Sequence, residues 1–125
     1  MRKRDIGRRC KVEKFLPIVN RNECRKIKLE DIVYLERQAR LIRVVTEDAS
    51  YYEYAKLSDF QPYIEGDSRF FPCMKRLVIN FDQVMSMKDQ MIYFKNGMKC
   101  DLGRTNYLKT KQSFANYLRS KEQIH

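Results

Sequence analysis

The sequence is short of the residues on which most chemistry at neutral pH depends. Its one histidine is His125, the last residue, and tryptophan is absent. A Ser–His or Cys–His nucleophile would have to recruit that chain end. No Gly-rich phosphate loop of the P-loop or dinucleotide type is present. Acidic pairs such as Glu30 with Asp31, or Asp82 with Asp89, stand among turn signals that suit solubility and capping. The expectation is therefore a protein that is not an enzyme and needs no cofactor. Cysteine is limited to Cys10, Cys24, Cys73 and Cys100, with no CxxC pair, so no metal site is expected. Free, mostly buried thiols are the default reading. Only 4 Gly and 3 Pro exclude collagen and linker-rich repeats, and 43% hydrophobic content argues against disorder. No apolar run approaches the roughly 18–20 residues that cross a bilayer, which excludes a spanning helix. Nothing hydrophobic follows the charged Met1–Asp5, so no secretory signal is expected and the cytoplasm is the expected compartment.

What the sequence has in excess is positive charge. At 125 residues there is room for one domain with a modest core. Its 26 Lys+Arg against 16 Asp+Glu give +10, a balance that favours an anionic partner, of which nucleic acid is the commonest. Residues 1–28 hold 11 basic and 3 acidic side chains, leaving the rest of the chain at only +2. Residues 1–12, with Arg2, Lys3 and Arg4, read as a flexible basic arm, and 13–125 as a single domain. A solvated tail on a nearly neutral body would explain the total equally well, so a binding face has to come from local clustering.

The hydrophobic pattern predicts many short strands and two helices. Phe15–Val19 and Cys24–Leu29 flank the turn-prone Asn20-Arg21-Asn22 and can pair as a hairpin. Ile32–Leu35, the β-branched run Leu41–Thr46 and Tyr51–Tyr54 follow as strands. Leu57, Phe60 and Ile64, with Tyr63 beside them, share one side of a short helix near 57–65 that stops at Gly66. After Phe70-Phe71-Pro72, strands are expected at Leu77–Ile79, Val84–Met87 and Met91–Phe94. Asn96-Gly97 predicts a type I′ hairpin into a strand at Met98–Leu102. Thr105 or Asn106 can cap a second helix, near 106–119, with Leu108, Phe114, Ala115 and Leu118 facing inward. Crossover helices are too few for a parallel α/β sheet, so the fold class expected is mainly β with two helices, a β-rich α+β domain.

Basic residues gather at the connections of this pattern. Arg37, Arg40 and Arg43 are the sole charged residues between Glu36 and Glu47 and straddle a strand-to-strand link. Lys75-Arg76 precedes another strand, and Arg104 stands near the electropositive start of the last helix. Guanidinium groups at such loop ends can pair with phosphate or bridge guanine O6 and N7. Surface charges partnered by Glu30, Asp31 or Glu36 are the plainer alternative.

The order of these pieces resembles the LytTR family of bacterial DNA-binding domains. The resemblance is carried by Leu29–Glu36, the Leu57 helix, Phe70-Phe71 followed by Lys75–Asn80, then Val84, Met91–Gly97, Arg104 and the final helix. It runs from about Lys14 to Leu118. It implies packed small antiparallel sheets whose loops, rather than a recognition helix, enter successive major grooves. On matching positions the DNA-facing segments would be Arg37–Arg43, Met74-Lys75-Arg76 and Gly103-Arg104-Thr105-Asn106. The chain departs from the family at Pro72 and Met74, where Arg and His are frequent, at Thr105, where a second basic residue is common, and at Ile42. Weaker intrinsic affinity would follow, partly offset by the basic arm. Family members often carry a receiver domain ahead of this module, and none is expected here, which implies control by abundance or sequestration. An inhibitory membrane protein is the partner that the resemblance implies for such a standalone member.

The expected function is a sequence-specific regulator of transcription that binds double-stranded DNA, as two copies on repeated half-sites. Arg40, Arg43, Arg76 and Arg104 are the candidate base readers or positioners, while Lys75 and the arm neutralise phosphate. Arg37 and Asn106 complete the candidate set. Cys73 and Cys100 flank two of these segments and would form a redox pair if the fold brought their Cα atoms within about 7 Å. Two alternatives stay open: an RNA-binding module that stacks bases on some of the eight Tyr and seven Phe, and a protein-interaction module whose arm docks an acidic partner.

Overall fold

A five-stranded antiparallel sheet with both faces covered organises the molecule. The computed structural model describes residues 14–123, with side chains as far as Ser120. The arm residues Arg2, Lys3 and Arg4, like Cys10 and His125, lie outside the described residues.

The described chain runs β1 (Phe15–Val19), β2 (Cys24–Lys28), β3 (Ile32–Gln38), β4 (Leu41–Thr46), β5 (Ser50–Tyr54), α1 (Leu57–Ile64), β6 (Phe70–Met74), β7 (Leu77–Asn80), β8 (Val84–Lys88), β9 (Met91–Phe94), β10 (Lys99–Asp101) and α2 (Gly103–Gln123). Short 3-10 turns, Leu29–Asp31 and Phe81–Gln83, lead into β3 and β8. The strands form three antiparallel sheets, ordered β1-β2, β5-β4-β3-β7-β6 and β10-β9-β8. The expected class is borne out: mainly β, small antiparallel sheets, two helices.

Why β3 and β7 read as unbroken apolar runs is now plain. Both are central strands covered on two sides, so successive side chains enter different cores. On one side Leu16, Ile18 and Ile27 of the β1-β2 hairpin and Phe60 and Ile64 of α1 pack with Leu35, Ile42, Val44 and Val78. On the other, Val33, Leu77 and Ile79 meet Ile92 and Phe94 of the three-stranded sheet and Tyr107 and Phe114 of α2. Buried Asn80 is fully satisfied: its Nδ2 donates to Ile32 O at 2.8 Å and its Oδ1 accepts from Asp82 N at 2.9 Å. It ties the end of β7 to the start of β3.

One strand is added and three local expectations are corrected. Phe70–Met74 is a strand despite Pro72, which an edge strand tolerates, and the ladder shifts between Pro72 and Met74. At Asn96-Gly97 only Gly97 has positive φ (92°), and its N–H bonds Phe94 O at 3.0 Å. The connection is a three-residue loop closed by a glycine bulge rather than a type I′ turn. The type I′ sign pattern falls instead on Asp89 (φ 54°) and Gln90 (φ 68°) between β8 and β9. In α2, helical structure begins at Gly103, so Thr105 and Asn106 lie inside the helix and do not cap it. Asp101 Oδ1 accepts from Gly103 N at 2.9 Å at that start. Its inward face is Tyr107, Thr110 and Phe114 with half-buried Tyr117, whereas Leu108 and Leu118 are exposed and Ala115 is half-buried.

Candidate nucleic-acid interface

Antiparallel register decides which connections share an end of the central sheet. β3 finishes at Gln38, paired with Leu41, so Ala39-Arg40 is a two-residue turn. β7 begins at Leu77 opposite Glu36, and Met74 pairs with Leu77, so Lys75-Arg76 is the adjacent turn at the same end. The Arg37 N–H donates to Arg76 O at 2.9 Å and fastens the two. Arg40, Lys75, Arg76 and Arg37 are all exposed there.

The β10-α2 junction reaches the same end. Phe81, past the far end of β7, packs on Phe114 and Tyr117 with ring centroids 5.3 Å apart. Thirteen residues of helix separate Tyr117 from Arg104, about 20 Å at 1.5 Å per residue, which carries α2 back along β6. Cys100, just before the helix, feels the charges of Glu36 and Arg76. Leu102 N–H bonds Gln90 O at 3.0 Å, so the Asp89-Gln90 turn lies against this junction. Gly103 takes φ 73°, cheap only for glycine, and α2 has no acidic residue in its first turn. Asp101 occupies the Gly103 N–H at this start, so exposed Arg104 is the group the junction offers to an anion; Asn106 is half-buried beside it.

Arg43 is different. It projects from the middle of β4, half-buried, with Nη1 3.4 Å from the Tyr34 hydroxyl and 3.7 Å from Glu36 Oε1, and Nε 3.3 Å from Ser50 Oγ. These partners sit on neighbouring strands and fix the guanidinium against the sheet. By contrast, Arg37, Arg40, Lys75, Arg76 and Arg104 have no ion-pair partner among the described residues.

The opposite end of the sheet gathers acidic connections, with Lys26 and Lys28 of β2 beside Asp31, Glu47 and Asp48. Glu30-Asp31 precedes β3, Glu47-Asp48 follows β4, Asp67 precedes β6 and Asp82 follows β7. Arg69 at that end is consumed by Asp67, at 2.7 Å, and Lys14 acts on the same carboxylate. The carboxylates at the cationic end are mostly engaged: Glu36 with Arg43, Glu53 with Val19 N at 2.8 Å, Asp101 with Gly103 N. Exposed arginines on turns therefore gather at one end of a nearly neutral body, which composition conceals.

Cys73 and Cys100 are free thiols in one neighbourhood, close enough to interact electrostatically. Burial pushes the Cys73 thiol up to about 12 and also raises that of Cys100. Protonated thiols are poor nucleophiles, and burial favours the protonated form of both. No cluster of three metal-ligating side chains exists among the described residues, and no described helix is long and apolar enough to cross a membrane.

Sequence reasoning overlooked two further residues at the cationic end. Tyr54 reaches it by pairing with Leu41 beside Arg40, and Arg21, at the β1-β2 turn, through packing of the hairpin on β5. No local signal marks such a contact.

Comparison with known proteins agrees with this fold. A family model described as the LytTr DNA-binding domain matches residues 22–115. Among solved structures, the LytTr DNA-binding domain of a Bacillus cereus protein described as a methyl-accepting/DNA response regulator superposes with a TM-score of 0.62 at 15% identity. The match covers 86% of this chain and 94% of that one. No curated protein sequence matches the chain.

Proposed function

The chain belongs to the family of LytTr DNA-binding domains, and from that premise we propose that it regulates transcription in a bacterial cytoplasm by gripping specific duplex sequences with the turns at one end of its central sheet. The observation that carries this reading is the charge polarity of the sheet. Arg40, Lys75, Arg76 and Arg104, without ion-pair partners among the described residues, stand at one end, and most acidic connections at the other. Four basic groups on three neighbouring connections make a local positive field that an anionic ligand can use.

Roles follow from exposure and rigidity. Arg40 and Arg76, on two-residue turns fastened by the Arg37–Arg76 bond, are short and rigid enough to enter a major groove and meet base edges. Arg104 and Lys75 receive backbone phosphate. Arg37 and Asn106 flank these contacts. Arg43 acts as a positioning residue, holding Tyr34 and Glu36 beneath the Arg40 turn. The basic arm with Arg2, Lys3 and Arg4 adds sequence-independent affinity. Two copies on repeated half-sites suit a module of this size. The RNA alternative is less favoured because the described aromatic side chains exposed for stacking are few, Tyr52, Tyr54 and Tyr63.

Selection of duplexes by the protein from a randomised library, followed by footprinting, tests the reading. A preferred sequence is expected. Arg76→Ala should then cost about 1–3 kcal/mol on it and relax preference at one position, while Lys75→Ala weakens all sequences alike. Failure to enrich any sequence would overturn the proposal, as would preference for single-stranded RNA at matched salt.

A further inference from the structure

The cationic end does not stop at Arg40. Beyond it a cleft of about 560 Å³ opens between the β1-β2 turn and β5, bordered by Arg21, Leu41, Tyr52 and Tyr54. The turn that carries Arg21 is firmly built. Asn20 Oδ1 accepts from Asn22 N at 2.8 Å and Glu23 N at 3.0 Å, and Asn20 N donates to Glu23 O at 3.0 Å. Asn20 Nδ2 donates to Tyr52 O at 2.8 Å and pins the turn to the sheet edge. Arg21 projects from this anchored turn with no partner among the described residues. The two carboxylates of the cleft are occupied, Glu23 by Arg25 at 2.7 Å and Glu53 by Val19 N. Tyr54 is 78% exposed, although large aromatic side chains normally gain from burial.

We propose that Arg21 and Tyr54 form a second, sequence-independent DNA contact that clamps the sugar-phosphate backbone flanking the bases met by the Arg40 turn. The inference rests on the DNA-binding reading above and extends it to a surface that reaches Arg21, one residue outside the span matched by the family model. Continuity supports it. Strands spaced about 4.8 Å apart put the β6 side of the sheet roughly 19 Å from β5, and the hairpin turn lies farther on. A row of that length spans about six base-pair steps at 3.4 Å each. Chemistry supports it as well: a free guanidinium seeks phosphate, and a tyrosine offers a ring for the sugar and a hydroxyl donor for the phosphate oxygen.

The test uses the full chain and a duplex that the protein has selected from a randomised library. Arg21→Ala should reduce the slope of log affinity against log salt by about 0.9, so that affinity lost between 50 and 200 mM salt is about 3.5-fold smaller than for the unaltered protein. Arg21→Lys should restore the slope, and Tyr54→Ala should weaken every sequence alike. Trimming the flanking base pairs on the hairpin side should abolish the difference between Arg21→Ala and the unaltered protein. Tight binding with an unchanged salt slope, or an Arg21→Ala effect indifferent to trimming, overturns this inference and leaves the DNA-binding reading intact. An effect confined to cooperativity between two copies overturns it in favour of a protein–protein contact. Absence of duplex binding by the unaltered protein removes both.

Discussion

Single side chains at the two ends of the central sheet live under different constraints. At the cationic end Arg40, Lys75, Arg76 and Arg104 lack ion-pair partners among the described residues and remain available to a ligand. At the acidic end Asp67 is nearly enclosed and accepts from Arg69 N (3.1 Å), Nε (3.0 Å) and Nη2 (2.7 Å). Those bonds from Arg69 hold the Asp67 carboxyl below its usual range, against the opposing effect of burial. A carboxylate depressed in the folded state contributes stability above its unfolded value, near 3.9, and loses it as pH falls through the folded value. Urea unfolding of Asp67→Asn should therefore show a stability deficit at pH 7 that narrows below about pH 4; a deficit constant with pH would contradict this assignment. The thiols give a second expectation. Peptide-mapped labelling at pH 8 should modify exposed Cys24 well before buried Cys73, whose pKa near 12 leaves roughly one thiolate in ten thousand. Rapid labelling of Cys73 would show that the cover over β6 opens easily.

Individual elements differ in how far their sequences announce them. The continuous apolar runs Ile32–Leu35 and Leu77–Ile79 are plain as strands, because both faces of a central strand need apolar groups. β6 is obscured by Pro72, whose cost vanishes on an edge strand. The inward face of α2 is misread because Leu108 and Leu118 are apolar yet exposed, while Tyr107 and Thr110 are buried by fit to the sheet. Periodicity cannot weigh a neighbour it does not see. The β8-β9 turn is equally silent, since Asp89-Gln90 takes left-handed φ values without a glycine. Gln90→Gly should therefore raise stability by about 0.5–1 kcal/mol in urea or thermal unfolding. A loss of stability would show that the Gln90 side chain contributes more than its backbone strain costs. The same limit applies to the site. Basic residues beside turns were visible, but capture of Arg43 by Tyr34, Glu36 and Ser50 needs cross-strand register, and Arg21 needs the docking of one sheet on another.

Taken whole, the molecule is a central sheet whose strands act as rigid spacers between two chemically opposite ends. A long recognition helix is unnecessary when short turns on a doubly packed sheet already hold their side chains in fixed relative positions. On the proposed reading this arrangement would orient the approach to DNA, since phosphates attract the basic turns and repel the acidic connections. Such steering weakens with added salt. The basic arm would add to affinity without adding to sequence preference.

Backbone amide shifts followed by NMR during titration with a selected duplex test the central claim most directly. The account predicts that perturbations concentrate at Ala39-Arg40, Lys75-Arg76 and Gly103–Asn106, with Arg21 and Tyr54 joining them. Glu30-Asp31 and Glu47-Asp48, at the far end, should stay unmoved. Perturbations centred on the acidic end, or spread evenly over both, would contradict it.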